Sequence, residues 1–264
     1  MNTAATAELE DAAFGRSPGR WPLPDACRAH DLWLRAVAAA GQGRYAGALA
    51  DLAVVLRRTT RGPLASLAHS TRASFLRQLG WHERARTFDG RAWALSGGVG
   101  EPAADALIGL AADALGVGRF AASERALARA ADVVAETHVA RLPVRLAWVS
   151  AELAMVRGDG ARAVDFARQA VDLAEATGSV RHDVKSRVVL AAAHCSAGDL
   201  DSSRRVADAA LAATEDLRLA PLRWAAASLL ADIGSNSYAE AQVTALRDRA
   251  ATDVIRWGGV WRSR

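Results

Sequence analysis

The residues of this chain that could support catalysis are few and poorly placed. His194 and Cys195 are adjacent, but neighbouring side chains on a helix point about a quarter turn apart, so this pair does not place a base beside its nucleophile. The sequence has no glycine-rich phosphate loop, no paired-histidine zinc motif and no serine nucleophile elbow. We therefore expect a protein that is not an enzyme and needs no cofactor.

The cysteines argue equally against a metal centre. Cys27 and Cys195 lie 168 residues apart without a second cysteine near either, so neither a zinc cluster nor a disulfide framework is indicated. The N-terminal residues lack the basic start and apolar run of a secretion signal. No apolar stretch approaches the roughly 18 residues of a membrane span. We expect a soluble cytoplasmic protein with no metal and no membrane partner.

The composition indicates an all-helical chain. Alanine, the best helix former, accounts for 63 of the 264 residues, and only 6% are aromatic. The net charge is a modest +4, and 32 of the 33 basic residues are arginine, a bias that a GC-rich coding sequence produces whatever the function. We therefore do not expect nucleic acid as a partner.

A repeat runs through most of the sequence. Six glycines recur at intervals of 36 to 40 residues, at Gly43, Gly80, Gly118, Gly158, Gly198 and Gly234. Seven residues before each glycine stands an alanine, and five residues after it stands an alanine or a serine. The spacing predicts helical hairpins, because glycine adopts the left-handed conformation that ends a helix and small residues mark where helices cross.

These units resemble the tetratricopeptide repeat family. The resemblance rests on the turns at 43–48, 118–123 and 198–203, each with a glycine, an aromatic or apolar residue and a small residue, and on the small residue inside the first helix. It covers residues 26–256. The period exceeds the usual value of about 34, the closing proline is missing and the early tryptophan is displaced, so the repeats are divergent. The resemblance implies an all-α, right-handed superhelical solenoid of about six hairpins, whose first helices line a concave face.

The same resemblance identifies candidate groove residues near the start of each first helix. Those that we assign to partner binding are aromatic or charged: Trp33, Arg145, Trp148, Glu152, Lys185 and Trp224. Family members that grip a terminal carboxylate use Lys, Asn and Arg at such places, whereas here tryptophan and valine prevail, although Arg145 and Lys185 could hold one carboxylate. The alternative is that the tryptophans fill crossings between neighbouring hairpins.

Two other segments have alternative interpretations. The stretch 57–91 contains eight arginines and two acidic residues, and it is either a solvated surface or a face for phosphates or an acidic partner. The C-terminal tail holds Trp257 and Trp261, which would be costly to leave in water. We expect the tail to fold back and cap the last hairpin, the alternative being a docking motif for another chain.

We therefore expect a mobile N-terminal segment at 1–25, a repeat domain at 26–256 and a tail at 257–264. The leading hypothesis is a non-catalytic scaffold that binds a protein or peptide on its concave face. The alternative is a regulatory sensor that binds a signal peptide or small ligand and acts on a transcription or signalling partner. A homo-oligomer is also possible, because the ends of such arrays can stack.

Overall fold

The computed structural model describes residues 3–263. Within that range it contains thirteen α-helices and no strand. The helices are α1 (Thr3–Phe14), α2 (Ala29–Gly41), α3 (Tyr45–Arg58), α4 (Pro63–Gln78), α5 (His82–Leu95), α6 (Gly100–Gly116), α7 (Phe120–Ala135), α8 (Arg141–Val156), α9 (Gly160–Thr177), α10 (Val180–Ser196), α11 (Leu200–Asp216), α12 (Ala220–Ile233) and α13 (Glu240–Arg256). Consecutive helices pack against each other, which confirms the predicted all-α helical-repeat solenoid.

Helices α2 to α13 form six hairpins, from α2/α3 to α12/α13. Each of the six repeat glycines lies between the two helices of one hairpin and has a positive φ, between 75° and 87°. This left-handed conformation is strained for a residue with a Cβ, which explains why glycine recurs at these turns.

The small residues of the repeat lie where helices cross. The alanine seven residues before each glycine is fully buried in all six hairpins. Of the small residues five positions after the glycine, five are fully buried and Ala239 is exposed. Ala239 differs because the loop between α12 and α13 is longer, so this residue precedes α13 instead of lying inside it.

The two ends of the array contact each other. Ala220 of α12 and Val254 of α13 belong to the same buried cluster as the residues of α2 and α3. The backbone N–H of Ala46 donates to the carbonyl of Trp257 at 2.9 Å. The last hairpin therefore contacts the first, and the six hairpins surround the concave face.

The N-terminal segment bridges the first and fifth hairpins. Helix α1 packs on α2 and also touches α10, and its Leu9 is fully buried. The N–H of Val180 donates to the carbonyl of Gly15 at 3.1 Å. The mobility predicted for residues 1–25 stays a prediction, but the sequence interpretation missed this helix and its packing.

The C-terminal tail folds back over the array, as the sequence interpretation favoured. The Trp261 ring packs on Trp224 of α12, with ring centroids 4.4 Å apart. The indole N–H of Trp81 donates to the carbonyl of Val260 at 2.7 Å, and Arg262 donates its N–H to Leu79 at 2.9 Å. The tail therefore covers the last hairpin and also reaches the second; residue 264 lies outside the described residues.

Candidate binding cavity

The first helices of all six hairpins surround one cavity of about 480 Å³. Helix α1 adds Phe14 to its wall. The volume lies within the range of about 300–1,000 Å³ that is usual for small-ligand sites. All six candidate partner-binding residues line this cavity: Trp33, Arg145, Trp148, Glu152, Lys185 and Trp224. The structure therefore brings the sequence-predicted residues together, while their role in binding stays a prediction.

Two of the tryptophans line the cavity and also join neighbouring hairpins. The indole N–H of Trp33 donates to Thr71 Oγ1 at 2.9 Å, and that of Trp148 donates to Ser186 Oγ at 2.8 Å. Both rings are almost completely buried, with 4% and 7% of their surface exposed. Both interpretations of these residues from the sequence, groove lining and crossing between hairpins, are therefore compatible with one position.

A continuous aromatic wall runs from α1 to α8. The Trp148 and His182 rings stack with centroids 5.3 Å apart and an angle of 17° between their planes. Phe14 lies 6.3 Å from the His182 ring and 5.7 Å from the Trp33 ring, centroid to centroid. Burial, together with the nearby arginines, lowers the pKa of His182 well below its ordinary value. The imidazole is therefore neutral at pH 7 and can act as a flat apolar surface.

The cavity wall carries more positive than negative side chains. The cations are Arg77, Arg141, Arg145, Arg181 and Lys185, and the acids are Asp105 and Glu152. The sequence interpretation missed three of the arginines, although a signal was present. Arg141 and Arg145 are four residues apart, as are Arg181 and Lys185, so each pair occupies one face of its helix.

Two of these arginines are neutralised by buried carboxylates. Arg77 pairs with Asp89 and with Asp113, the latter at 3.1 Å. Burial opposes the charge of Arg77, but the two carboxylates outweigh it and raise the pKa. Arg141 pairs with Asp105 at 3.1 Å and with Glu101, and its pKa is raised in the same way, attraction outweighing burial. The pairs of Arg77 with Asp113 and of Arg141 with Asp105 and Glu101 join successive first helices, whereas Asp89 lies on α5 of the same hairpin as Arg77.

The other three cations are incompletely compensated. Burial lowers the pKa of Arg145 even though Asp105 accepts a hydrogen bond from it. Burial, reinforced by Arg145 and Arg141, lowers the pKa of Arg181 to about 10. Burial also lowers the pKa of Lys185, with only partial relief from Glu152. Positive charge is thus concentrated where α8 and α10 meet.

Arg181 and Lys185 have few partners of their own. Arg181 donates one Nη2 hydrogen bond to the carbonyl of Ala13, at 3.0 Å, and its buried Nε has no hydrogen-bond partner. Within residues 3–263 Lys185 forms neither a hydrogen bond nor an ion pair, and its Nζ lies 4.6 Å from the centroid of the Trp148 ring. Both side chains face the cavity, so an anion there would supply the missing partner.

The basic stretch 57–91 contributes only one of its arginines to the cavity wall. Of its arginines, Arg77 turns inward to the cavity, and the others are exposed. Arg72 and Arg84 lie over the rings of Phe88 and Trp81, each with its guanidinium carbon 4.3 Å from the ring centroid. The solvated surface is the simpler interpretation of this stretch.

Comparison with known proteins adds no family assignment. No protein-family model matches the sequence, and no curated protein is significantly similar to it. Across residues 3–263 there is no helix long and apolar enough to cross a membrane. Over the same part of the chain, His, Cys, Asp and Glu form no group of three or more that could hold a metal ion. The cavity is therefore the strongest candidate for a functional site.

Proposed function

We propose that this protein is a non-catalytic recognition module, built from divergent tetratricopeptide-like repeats, that binds a small ligand or short signal peptide inside its concave cavity. This is the sensor hypothesis from the sequence. The observation that carries it is one cavity, lined by all six hairpins, in which aromatic rings and incompletely paired cations converge. Small-ligand sites have this character, because apolar walls supply affinity and a few polar groups fix orientation.

The closure of the array favours a small ligand over a large partner. A peptide that lay along an open concave groove would pass between the first and last hairpins. Here those hairpins share a buried cluster, and α1 spans from α2 to α10. The protein or peptide scaffold that was the leading hypothesis from sequence would require these contacts to open.

The hydroxyl groups of the cavity wall favour a binding role over a catalytic one. Ser70 donates to Asp89 at 2.8 Å, Ser74 donates to the carbonyl of Thr71 at 2.7 Å, and Thr71 accepts from Trp33. Each is engaged with a structural partner, and none is paired with a histidine that would activate it as a nucleophile.

A thermal-shift screen tests the proposal. Small molecules and short peptides are screened against the wild-type protein and against Ala192→Phe, which places a ring in the cavity from its half-buried position on α10. The matched control is Ala161→Phe, an exposed position on α9. We expect ligands that stabilise the wild type and the control but not Ala192→Phe. Ligands that stabilise all three proteins equally would place recognition outside the cavity.

A further inference from the structure

We propose that the cavity ligand is a small organic monoanion, a carboxylate joined to a flat apolar group, with its carboxylate held between Arg181 and Lys185 and its flat part against Trp148. The inference rests on the proposed function, because it names the class of ligand for the same cavity. It predicts that the carboxylate charge of the ligand is needed for tight binding and that Arg181 and Lys185 bind it.

The position of the anion follows from the unpaired donors. Arg181 and Lys185 are four residues apart on α10, so their side chains leave the same face of the helix. Both line the cavity, one with an unpartnered buried Nε and the other without any hydrogen-bond or ion-pair partner in the described chain. A carboxylate accepts several hydrogen bonds at once, so one group can serve both cations.

The charge of the ligand follows from the balance inside the cavity. The five cations of the wall are accompanied by five carboxylates on or directly behind it, namely Asp89, Glu101, Asp105, Asp113 and Glu152. Asp89 and Asp113 both gather at Arg77, Arg141 and Arg145 pair with Glu101 and Asp105, and Glu152 attracts Lys185. Within residues 3–263 Arg181 has a backbone carbonyl but no carboxylate as its partner, so one positive charge is left without a counter-charge beside it. A monoanion neutralises it, whereas a dianion would leave an excess of negative charge beside Glu152.

The flat part of the ligand follows from the wall beside these cations. The stacked Trp148 and His182 rings form a rigid part of the cavity wall, and Trp148 is fixed by its hydrogen bond to Ser186. Apolar side chains continue that surface, including Ile108, Val149 and Val188. An aromatic or similarly flat group gains contact there with little loss of conformational freedom.

A free small molecule fits this site better than the end of a longer chain. Arg181 lies at the end of the cavity beside α1 and α2, where it meets the carbonyl of Ala13 and where a Cβ on Gly41 would lie 2.9 Å from its Cδ. A carboxylate at this end therefore has α1 and α2 immediately behind it. The rest of the ligand must fit within the cavity of about 480 Å³.

The test measures binding of a panel of aromatic monocarboxylates, benzoate, 2-naphthoate and biphenyl-4-carboxylate, by isothermal titration and tryptophan fluorescence. Each is compared with its neutral carboxamide. Naphthalene-2,6-dicarboxylate, inorganic phosphate and an N-acetylated tripeptide ending in phenylalanine test the alternatives. The variants are Lys185→Met and Lys185→Arg, and the control is Arg187→Met, which removes a more exposed cation from the same helix.

We expect at least one monocarboxylate to bind saturably and at least tenfold more tightly than its carboxamide. Lys185→Met should weaken the carboxylate at least tenfold while changing the affinity for the carboxamide less than threefold. Lys185→Arg and Arg187→Met should both retain binding, and circular dichroism should show that every variant is folded.

The inference is overturned if the carboxamide binds as well as the acid, if Lys185→Met leaves the carboxylate affinity unchanged, or if no monocarboxylate binds. Tighter binding of the tripeptide would assign the anion to a chain terminus, and tighter binding of phosphate or the dicarboxylate would contradict a monoanion. The proposed function is tested separately. If a neutral ligand binds and Ala192→Phe abolishes its binding, the recognition module is supported and only the anionic ligand is refuted.

Discussion

Replacing Arg181 with methionine should stabilise the protein while weakening anion binding. Burial lowers the pKa of Arg181 from its ordinary value to about 10. Since a difference of one in pKa corresponds to about 1.36 kcal/mol, this drop means that the charged guanidinium costs the folded protein on the order of 3 kcal/mol. Methionine has a similar length and no charge, so it removes that cost.

One interaction offsets part of this gain. The variant loses the hydrogen bond from Arg181 to the carbonyl of Ala13, and a bond from a charged donor contributes about 1.5–3 kcal/mol. The net expectation is a stabilisation of roughly 1 kcal/mol, which raises the melting temperature of a chain of this size by about 2–4 °C. Differential scanning calorimetry measures it.

The sign of the pH dependence is fixed by the direction of the change. Because the folded-state pKa lies below the ordinary value, the unfolded state holds the proton more tightly, and the cost is fully present at every pH below about 10. This cost decreases only as the pH rises from about 10 towards the ordinary pKa of an arginine. The stability gained by the variant should therefore be constant between pH 6 and pH 9.

The control is Arg168→Met at an exposed position on α9, which should change stability by less than about 0.5 kcal/mol. A loss of more than about 1 kcal/mol in Arg181→Met would refute the reasoning, because the guanidinium would then be a structural support for α1 instead of a cation kept for a ligand. Unchanged affinity of Arg181→Met for the monocarboxylates would refute the predicted weakening of anion binding.

Three further predictions concern the surroundings of the cavity. Burial raises the pKa of Asp113 to about 7, so the contribution of this carboxyl group to stability should fall as the pH rises from 3.8 through 7. Urea unfolding should therefore show that Asp113→Asn gains more stability at pH 8 than at pH 5. Trp148→Phe should lower the free energy of unfolding by about 1–2 kcal/mol, because the hydrogen bond to Ser186 and part of the ring contact disappear. Trp148→Ala should lower it by about 3–5 kcal/mol. An equal loss in the two variants would contradict this expectation. Gly158→Ala should lose about 1 kcal/mol of stability by the same measurement, since φ is 75° there. Gly47→Ala, in the first turn of α3 with open space around it, should lose none.

The hairpins could be predicted from sequence because their determinants are local. A glycine such as Gly118 ends a helix by its own conformation, and Ala111 lies at a helix crossing because it stands a fixed number of residues earlier. Trp148 and Lys185 could be assigned to the concave face for the same reason: their position along the first helix determines their direction.

What the sequence did not predict depends on contacts between distant segments. The pairing of Arg141 with Asp105 joins residues 36 apart, about one repeat, and the contact of Arg181 with Ala13 spans 168 residues. Helix α1 is short and its first turn carries no acidic residue, so its helical signal was weak. The closure of the concave face into a cavity depends on α1 and on the tail, and no periodicity within the repeats encodes it.

The most direct test of the account is the melting temperature of the wild type and of Ala192→Phe with and without a ligand found by the screen. At a ligand concentration of about one hundred times Kd, binding adds about 2.7 kcal/mol of stability, which corresponds to a rise of about 5–10 °C for a chain of this size. The account predicts this rise for the wild type and for Ala161→Phe, and none for Ala192→Phe. An equal rise in Ala192→Phe would show that the cavity is not the site of recognition.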